Sequence, residues 1–256
     1  RYRWITAVFG EDRKMKHYSG RLKNINALLT LLLGLAGFVY LGINDLANWA
    51  LITTGAAILL LGFAVWKFEN SRIDARMLIL IATMSALAAV SRVLFAAIPS
   101  VQPGTFIIMI TGYVFGPVIG VAVGVLTAFV SNMFLGQGPW TLWQMLGWGL
   151  CGIVAGWLGK NNNFRLVPFL ILSGLAGLLF GLLMNCWHWL AFVYPLNATT
   201  FLATWAASIV FDLMHAGGNI IFALILGRPF YNYLLRFRQR MFFQPAGDSS
   251  SGSPDS

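Results

Sequence analysis

Charge is what this sequence has least of. Only 10% of its 256 residues are charged and 58% are hydrophobic, whereas soluble domains carry roughly 25% charged residues. That shortage excludes a soluble globular domain and makes the bilayer the main solvent of the chain. Acidic residues are scarcest, 8 against 17 basic ones. Cysteine is nearly absent too. Cys151 and Cys186 both lie inside apolar runs, with no CxxC or His-rich spacing, so they read as packing residues without a disulfide or a zinc motif. Catalytic signatures are missing: there is no HExxH, no GxSxG and no paired-carboxylate motif,. A phosphate-cradling GxxxxGK[ST] is also missing,. The chain therefore does not hydrolyse ATP by itself, and a primary pump built on it needs separate ATPase subunits.

What is present is apolar sequence in long stretches. Runs at about 26–43, 47–66, 77–98, 105–116, 118–135, 141–158, 166–194 and 200–227 approach the roughly 20 residues that a helix needs to cross a bilayer. They predict an all-α integral membrane protein with eight helical segments. The segments are too long and too evenly apolar for the alternating strands of a barrel. The run at 105–116 is short and meets Gly116 and Pro117 at once, so it and 118–135 form either a hairpin or one broken helix pair. The runs 166–194 and 200–227 are long enough to tilt. The expected organisation is a basic arm at 1–24, two helices at 25–70, a membrane domain at 71–230, and a basic then disordered tail at 231–256. The tail is polar and small from Gln244 onward,. The basic start extends to Lys23 before the first span, which does not read as a cleavable signal peptide,.

The basic residues fix an orientation. Arg1, Arg3, Arg13, Lys14, Lys16, Arg21 and Lys23 precede the first span. Lys67, Arg72 and Arg76 separate the second from the third, and Lys160 and Arg165 flank an Asn-rich turn. Arg228, Arg236, Arg238 and Arg240 follow the last. With eight spans all of these share one side, which the positive-inside rule makes cytoplasmic. A multi-pass plasma-membrane protein with both termini in the cytoplasm is expected. Basic residues that flank spans orient the chain and do not suggest nucleic-acid binding; the stretch RFRQR is also suited to anionic lipid.

The opposite side receives the connections near 44–46, 98–104, 134–140 and 190–199, none of which contains Lys or Arg. Three of them collect unusual chemistry: VQPGT (Val101–Thr105), GQGPWTLWQ (Gly136–Gln144) and NCWHWLAFVYPLNATT (Asn185–Thr200). An aromatic belt at the lipid interface explains part of the Trp140, Trp143, Trp187, Trp189 and Tyr194 cluster. It does not explain Gln102, Gln137, Gln144, Asn185 and His188, because amides have no preference for lipid and need partners when buried. An outward-facing pocket with aromatic walls and neutral hydrogen-bonding groups fits both sets, and suits a mostly uncharged, flat or large organic molecule.

Two charges fall within spans, Arg92 and Asp212, and intramembrane charges are functional candidates. Arg92 lies 16 residues past Arg76, about 24 Å along a helix, where it either snorkels or reaches the pocket. Asp212, His215 and Asn219 share one helix face. A polar patch that joins helices is one reading of them; ligand contact, proton coupling and a metal site are the others, the last without further ligands in reach. In the third span Ala82 and Ala86, like Ser85 and Ala89, stand four apart. They form a small-residue stripe that lets another helix approach closely, either inside the chain or from a partner.

The region from Arg76 to Arg228 resembles the substrate-binding S component of an energy-coupling factor (ECF) vitamin transporter. The resemblance rests on the AxxxA helix at Ala82 and Ala86, the short helix and tight turn of QPGTFIIMITGYVFGPVIGVAVG (Gln102–Gly124), the stretch SNMFLGQGPWTLWQMLGWGLCGIVAG (Ser131–Gly156), and the six helices of the unit. GQGPWTxWQ is most similar to the cobalamin-type members. The resemblance implies a six-helix bundle, here preceded by two extra helices. It also implies a transport subunit without enzymatic activity, which captures a vitamin from outside and docks on a transmembrane scaffold driven by two cytoplasmic ATPases. Carried over, Ala82, Ala86 and the neighbouring Ala89 become the docking stripe. The substrate site is then expected from Gln102, Thr105, Gln137, Trp140, Trp143, Gln144, Asn185, His188, Trp189 and Asp212. No permanent cofactor or metal is expected; cobalamin is the expected cargo. A stand-alone secondary transporter and an intramembrane enzyme using Asp212 and His215 remain as alternatives, although no internal repeat of the kind found in such transporters is visible.

Overall fold

The computed structural model describes residues 25–44, 48–71, 74–161 and 163–242. The basic arm at 1–24 and the polar tail from Gln244 lie outside them. The described residues are helical throughout their regular structure. Among the described residues seven helices are long and apolar enough to cross a membrane, and an eighth, Pro103–Phe115, is shorter. In chain order they are α1 (Ile25–Ile43), α2 (Trp49–Glu69), α3 (Ala75–Leu94), α4 (Pro103–Phe115), α5 (Pro117–Leu135), α6 (Trp140–Leu158), α7 (Leu166–Phe192) and α8 (Ala198–Phe242). The chain divides into two compact units, at Lys67 and Phe68.

The first unit is an antiparallel pair, α1 and α2. Gly34 faces Leu59, Phe38 faces Gly55, and Gly42 faces the Trp49 ring, so each close approach sets a glycine against a large side chain of the other helix. The hydroxyls of Thr53 and Thr54 donate to the carbonyls of Trp49 and Ala50, four residues back. This satisfies polar groups that hydrocarbon cannot. Leu33 and Leu51 are more than two-thirds exposed, as expected of side chains that face lipid.

In the second unit five helices enclose a sixth, α4. Every residue of α4 except Phe115 is buried, and α3, α5, α6, α7 and α8 all pack against it. A helix that is apolar all round belongs in a core. Because protein rather than lipid surrounds α4, its roughly 20 Å length need not match the bilayer. The question of a hairpin or a broken pair is settled by Gly116, which ends α4 and caps α5 at once with φ 95°. That backbone region favours glycine, and Pro117 opens α5 where a missing N–H costs least.

Close backbone contact holds the centre together. A Cβ on Gly112, Gly120 or Gly152 would run into the facing backbone of this trio, and one on Gly124 would meet the Trp148 backbone. Small residues allow such approach where no hydrophobic effect drives helices together. Across the other interface Gly177 lies on the backbone of His215 and Ala216, which seats α7 on α8.

The last helix departs from expectation. The apolar run at 200–227 is the interior of a helix of 45 residues that continues through Arg228 and Pro229, so 231–242 is helical. Its length, about 68 Å, is twice the hydrocarbon thickness. The continuation is held by packing: Tyr231 and Leu234 are buried, and the Tyr231 ring sits edge-on to Tyr113 and stacked on Phe164. Arg238 Nη1 donates to the Val114 carbonyl at 2.6 Å and Arg76 Nη1 to that of Met241 at 2.8 Å. The segment is thereby fastened to the end of α4 and the start of α3.

The packing predicts a contrast within one helix. Gly152→Ala places a methyl against the α5 backbone and should lower the midpoint of thermal unfolding in detergent by at least several degrees, since overpacking costs roughly 1–3 kcal/mol. Gly149→Ala, whose added Cβ has its nearest neighbour at 3.8 Å, should leave the midpoint unchanged or raise it.

Candidate functional site

The site grows from a guanidinium buried near the end of α3. Arg92 is 5% exposed, and its Nε donates to Gln102 Oε1 at 3.1 Å. Its Nη1 donates to Ser131 Oγ at 2.5 Å and Asn132 Oδ1 at 2.6 Å. Its Cζ lies 4.7 Å from the centroid of the Trp148 ring, a cation–π contact that strengthens out of water. Arg92 neither snorkels nor lines the cavity described below; it is buried and reaches that cavity only through Gln102. Among the described residues no carboxylate pairs with it. Neutral oxygens and a π face solvate the charge instead.

Two chains of hydrogen bonds leave this cage. One runs to the loop between α5 and α6: Asn132 Nδ2 donates to Thr141 Oγ1 at 2.8 Å and to Gln144 Oε1 at 2.7 Å. Thr141 in turn donates to Gln137 Oε1, whose Nε2 donates to the Phe129 carbonyl. The other runs inward, where Trp148 Nε1 donates to Thr105 Oγ1 at 2.9 Å. Thr105 Oγ1 is also 2.8 Å from His215 Nε2.

Both chains border a cavity of about 270 Å³, lined by Ser100, Gln102, Gln144, Phe180, Gly181, Met184, Asn185, Ser208, Phe211, Asp212 and His215. Asp212 is 6% exposed. Its Oδ2 accepts from Asn185 Nδ2 at 3.3 Å and Ser208 Oγ at 3.2 Å, and Oδ1 lies over Gly181. Phe180 forms a fixed wall, stacked on Trp148 at 4.9 Å and edge-on to His215 at 5.2 Å.

Of the expected substrate residues, Gln102, Gln144, Asn185 and Asp212 meet at this cavity. Thr105 is fully buried one layer behind it. The others do not line it. Gln137 is exposed and spends both ends of its amide closing the loop. The Trp140 ring covers Gly138 and is partly exposed. Trp143 is half-buried, with no hydrogen-bond partner for Nε1. His188 is exposed beside Phe192, and Trp189 donates to Thr200 Oγ1, which braces the turn before α8. Polar tips near the same surface suggested these residues, but the helix turns beneath them aim the side chains elsewhere.

The small-residue stripe also divides. Ala82 and Ala86 are exposed, whereas Ala89 is 2% exposed and closed within the packed side of α3. Sequence reasoning missed Phe180, Met184 and Phe211, which carry no polar signal. It had placed His215 on the Asp212 face without including it in the site. His215 pairs with Thr105 rather than with Asp212. Asn219 donates to the Ser173 carbonyl and is fully buried, a joint between helices. No group of three or more metal-ligating side chains occurs among the described residues.

The network predicts that Asn132→Ala, which removes an acceptor from the Arg92 guanidinium, destabilises the protein by roughly 2 kcal/mol, a typical cost for a hydrogen bond to a charged group. Gln137→Ala, at an exposed position, should cost less than half as much by the same thermal unfolding measurement.

Residues 76–227 match the sequence profile of the ECF transporter, substrate-specific component family. Neither the comparison with curated proteins nor that with solved structures returns a match. The match begins with the first turn of α3 and ends one residue before Arg228, so it takes in the six-helix unit and leaves out α1, α2 and the continuation of α8. Members of this family are transporter subunits, not enzymes. With more than half of its length inside the match, the chain belongs to the family of substrate-specific components of ECF transporters.

Proposed function

We propose that the chain is the substrate-capturing subunit of an ATP-driven vitamin importer in the plasma membrane, with both termini in the cytoplasm. It would work with a transmembrane scaffold subunit and two cytoplasmic ATPases. The observation that carries this reading is the cavity. It places a carboxylate, three amides and a histidine at one spot inside a membrane bundle, and polar groups are retained there at a cost. Its wall includes Gln144, tied through Asn132 to the turn between α5 and α6, so the ordering of that turn and the shape of the cavity are coupled. The exposed Ala82 and Ala86 on α3 supply a smooth face on which a scaffold helix can lie.

Cobalamin, or a related corrinoid, is the ligand suggested by GQGPWTLWQ. The size of the cavity favours a second reading. About 270 Å³ is just below the roughly 300–1,000 Å³ of pockets that hold drug-sized molecules, and a corrin ring with its side chains would overfill it. A corrinoid would require the walls of the cavity to move apart.

Calorimetry on the purified chain tests the reading. Tight binding of one vitamin is expected, with uptake into cells only when scaffold and ATPase subunits are present. Uptake driven by a proton gradient without those subunits would replace it with a secondary transporter. The double substitution Ala82→Leu, Ala86→Leu should keep affinity within about twofold and abolish uptake. Loss of affinity would mean that the stripe serves the fold of this chain instead.

A further inference from the structure

The hydrogen bonds around the cavity determine which atoms remain to meet a ligand. Gln102 Oε1 is taken by Arg92 and Gln144 Oε1 by Asn132. These partners fix both amide orientations, so the two glutamines offer N–H donors. Asn185 is the reverse. Its Nδ2 is engaged by Ser208 and Asp212, which leaves its carbonyl oxygen. Asp212 has Oδ2 engaged and Oδ1 without a hydrogen bond among the described residues. The two glutamines therefore offer donors to the cavity, while Asn185 and Asp212 offer acceptors.

The charges agree with this polarity. Among the residues lining the cavity, Asp212 is the one carboxylate and there is no Lys or Arg. The nearest guanidinium, Arg92, is turned to Gln102, Ser131 and Asn132. A carboxylate in a membrane interior without a counter-ion is costly, and a cationic group on the ligand removes that cost. The wall also holds the rings of Phe180, fixed by its stacking on Trp148, and Phe211.

We propose that the cavity takes a compact, flat heterocycle that places a cationic nitrogen against Asp212 and Asn185 and an acceptor edge against Gln102 and Gln144. This rests on the importer reading and specifies its cargo. Gly181 belongs to the recognition: a Cβ there would collide with Asp212 Oδ1, so only glycine leaves the carboxylate where the ligand meets it.

A charge series of probes tests the proposal on the purified full-length chain. Thiamine and pyridoxamine serve as compact cations, pyridoxine as a neutral ring, biotin and nicotinate as anions, and cobalamin as the large ligand. At least one cation should bind, at least 10-fold more tightly than any neutral or anionic probe. Asp212→Asn, nearly isosteric, should then weaken that cation by roughly 10- to 100-fold, the range for a lost charge-assisted hydrogen bond, and narrow its lead over pyridoxine. Gly181→Ala should act in the same direction. Equal or tighter binding of an anion overturns the proposal, even if a variant fails to fold. Binding of cobalamin alone also overturns it, while leaving the importer reading intact. If no probe binds, the proposal falls. The importer reading falls with it only if uptake also proves independent of the ATPase subunits.

Discussion

The bundle is organised around one charge that has no counter-ion among its partners. Arg92 sits in a membrane-spanning helix, and three side-chain oxygens and the Trp148 face take the place of water around it. These four groups come from three neighbouring elements. Gln102 caps α4, Ser131 and Asn132 end α5, and Trp148 is in α6. A guanidinium has five donors in a rigid fork, so satisfying it fixes the relative positions of four helices at one end of the unit. The loop and the cavity inherit that order, because Asn132 passes it to Gln144 and Trp148 passes it to Thr105 and His215.

Around that polar hub the rest of the six-helix unit is held by shape. The α4–α5–α6 contact brings backbones together at Gly112, Gly120 and Gly152. Lipid supplies no hydrophobic drive between helices, so close fit and a few buried hydrogen bonds carry the association. The two devices divide the work along the bundle. Glycine contacts serve the middle and the α4–α5 turn, and the Arg92 cage serves the end that bears the cavity. At the far end Tyr113, Val114 and Arg76 secure the continuation of α8.

Most of the architecture was legible because hydropathy reports directly on span length. The boundaries of α2, α3, α5 and α6 fall within a few residues of the apolar runs. The end of α8 was not legible: the apolar run stops at 227, yet Tyr231 and Leu234 find a packed surface beyond it. The site was read in part. Gln102, Gln144, Asn185 and Asp212 stood out as polar residues in or beside apolar runs, and that signal survives folding. Trp140, Gln137 and His188 carried an equally polar signal but serve the loop or lie exposed, because side-chain direction depends on helix phase and turn geometry. Phe180, Met184 and Phe211 could not be picked out, since an apolar wall residue looks like any other in a chain that is 58% hydrophobic.

The central claim is that the Arg92 guanidinium couples Gln102 at the start of α4 to Ser131 and Asn132 at the end of α5. A double-mutant cycle between Gln102→Ala and Asn132→Ala, read by thermal or chemical unfolding, tests it most directly. Both side chains bond the same guanidinium, at Nε and Nη1. The account predicts a coupling of about 1 kcal/mol or more that disappears when Arg92→Met is introduced into all four proteins. Substitutions at independent sites add to within roughly 0.5 kcal/mol. Additivity within that margin, or a coupling that persists without the guanidinium, would contradict it.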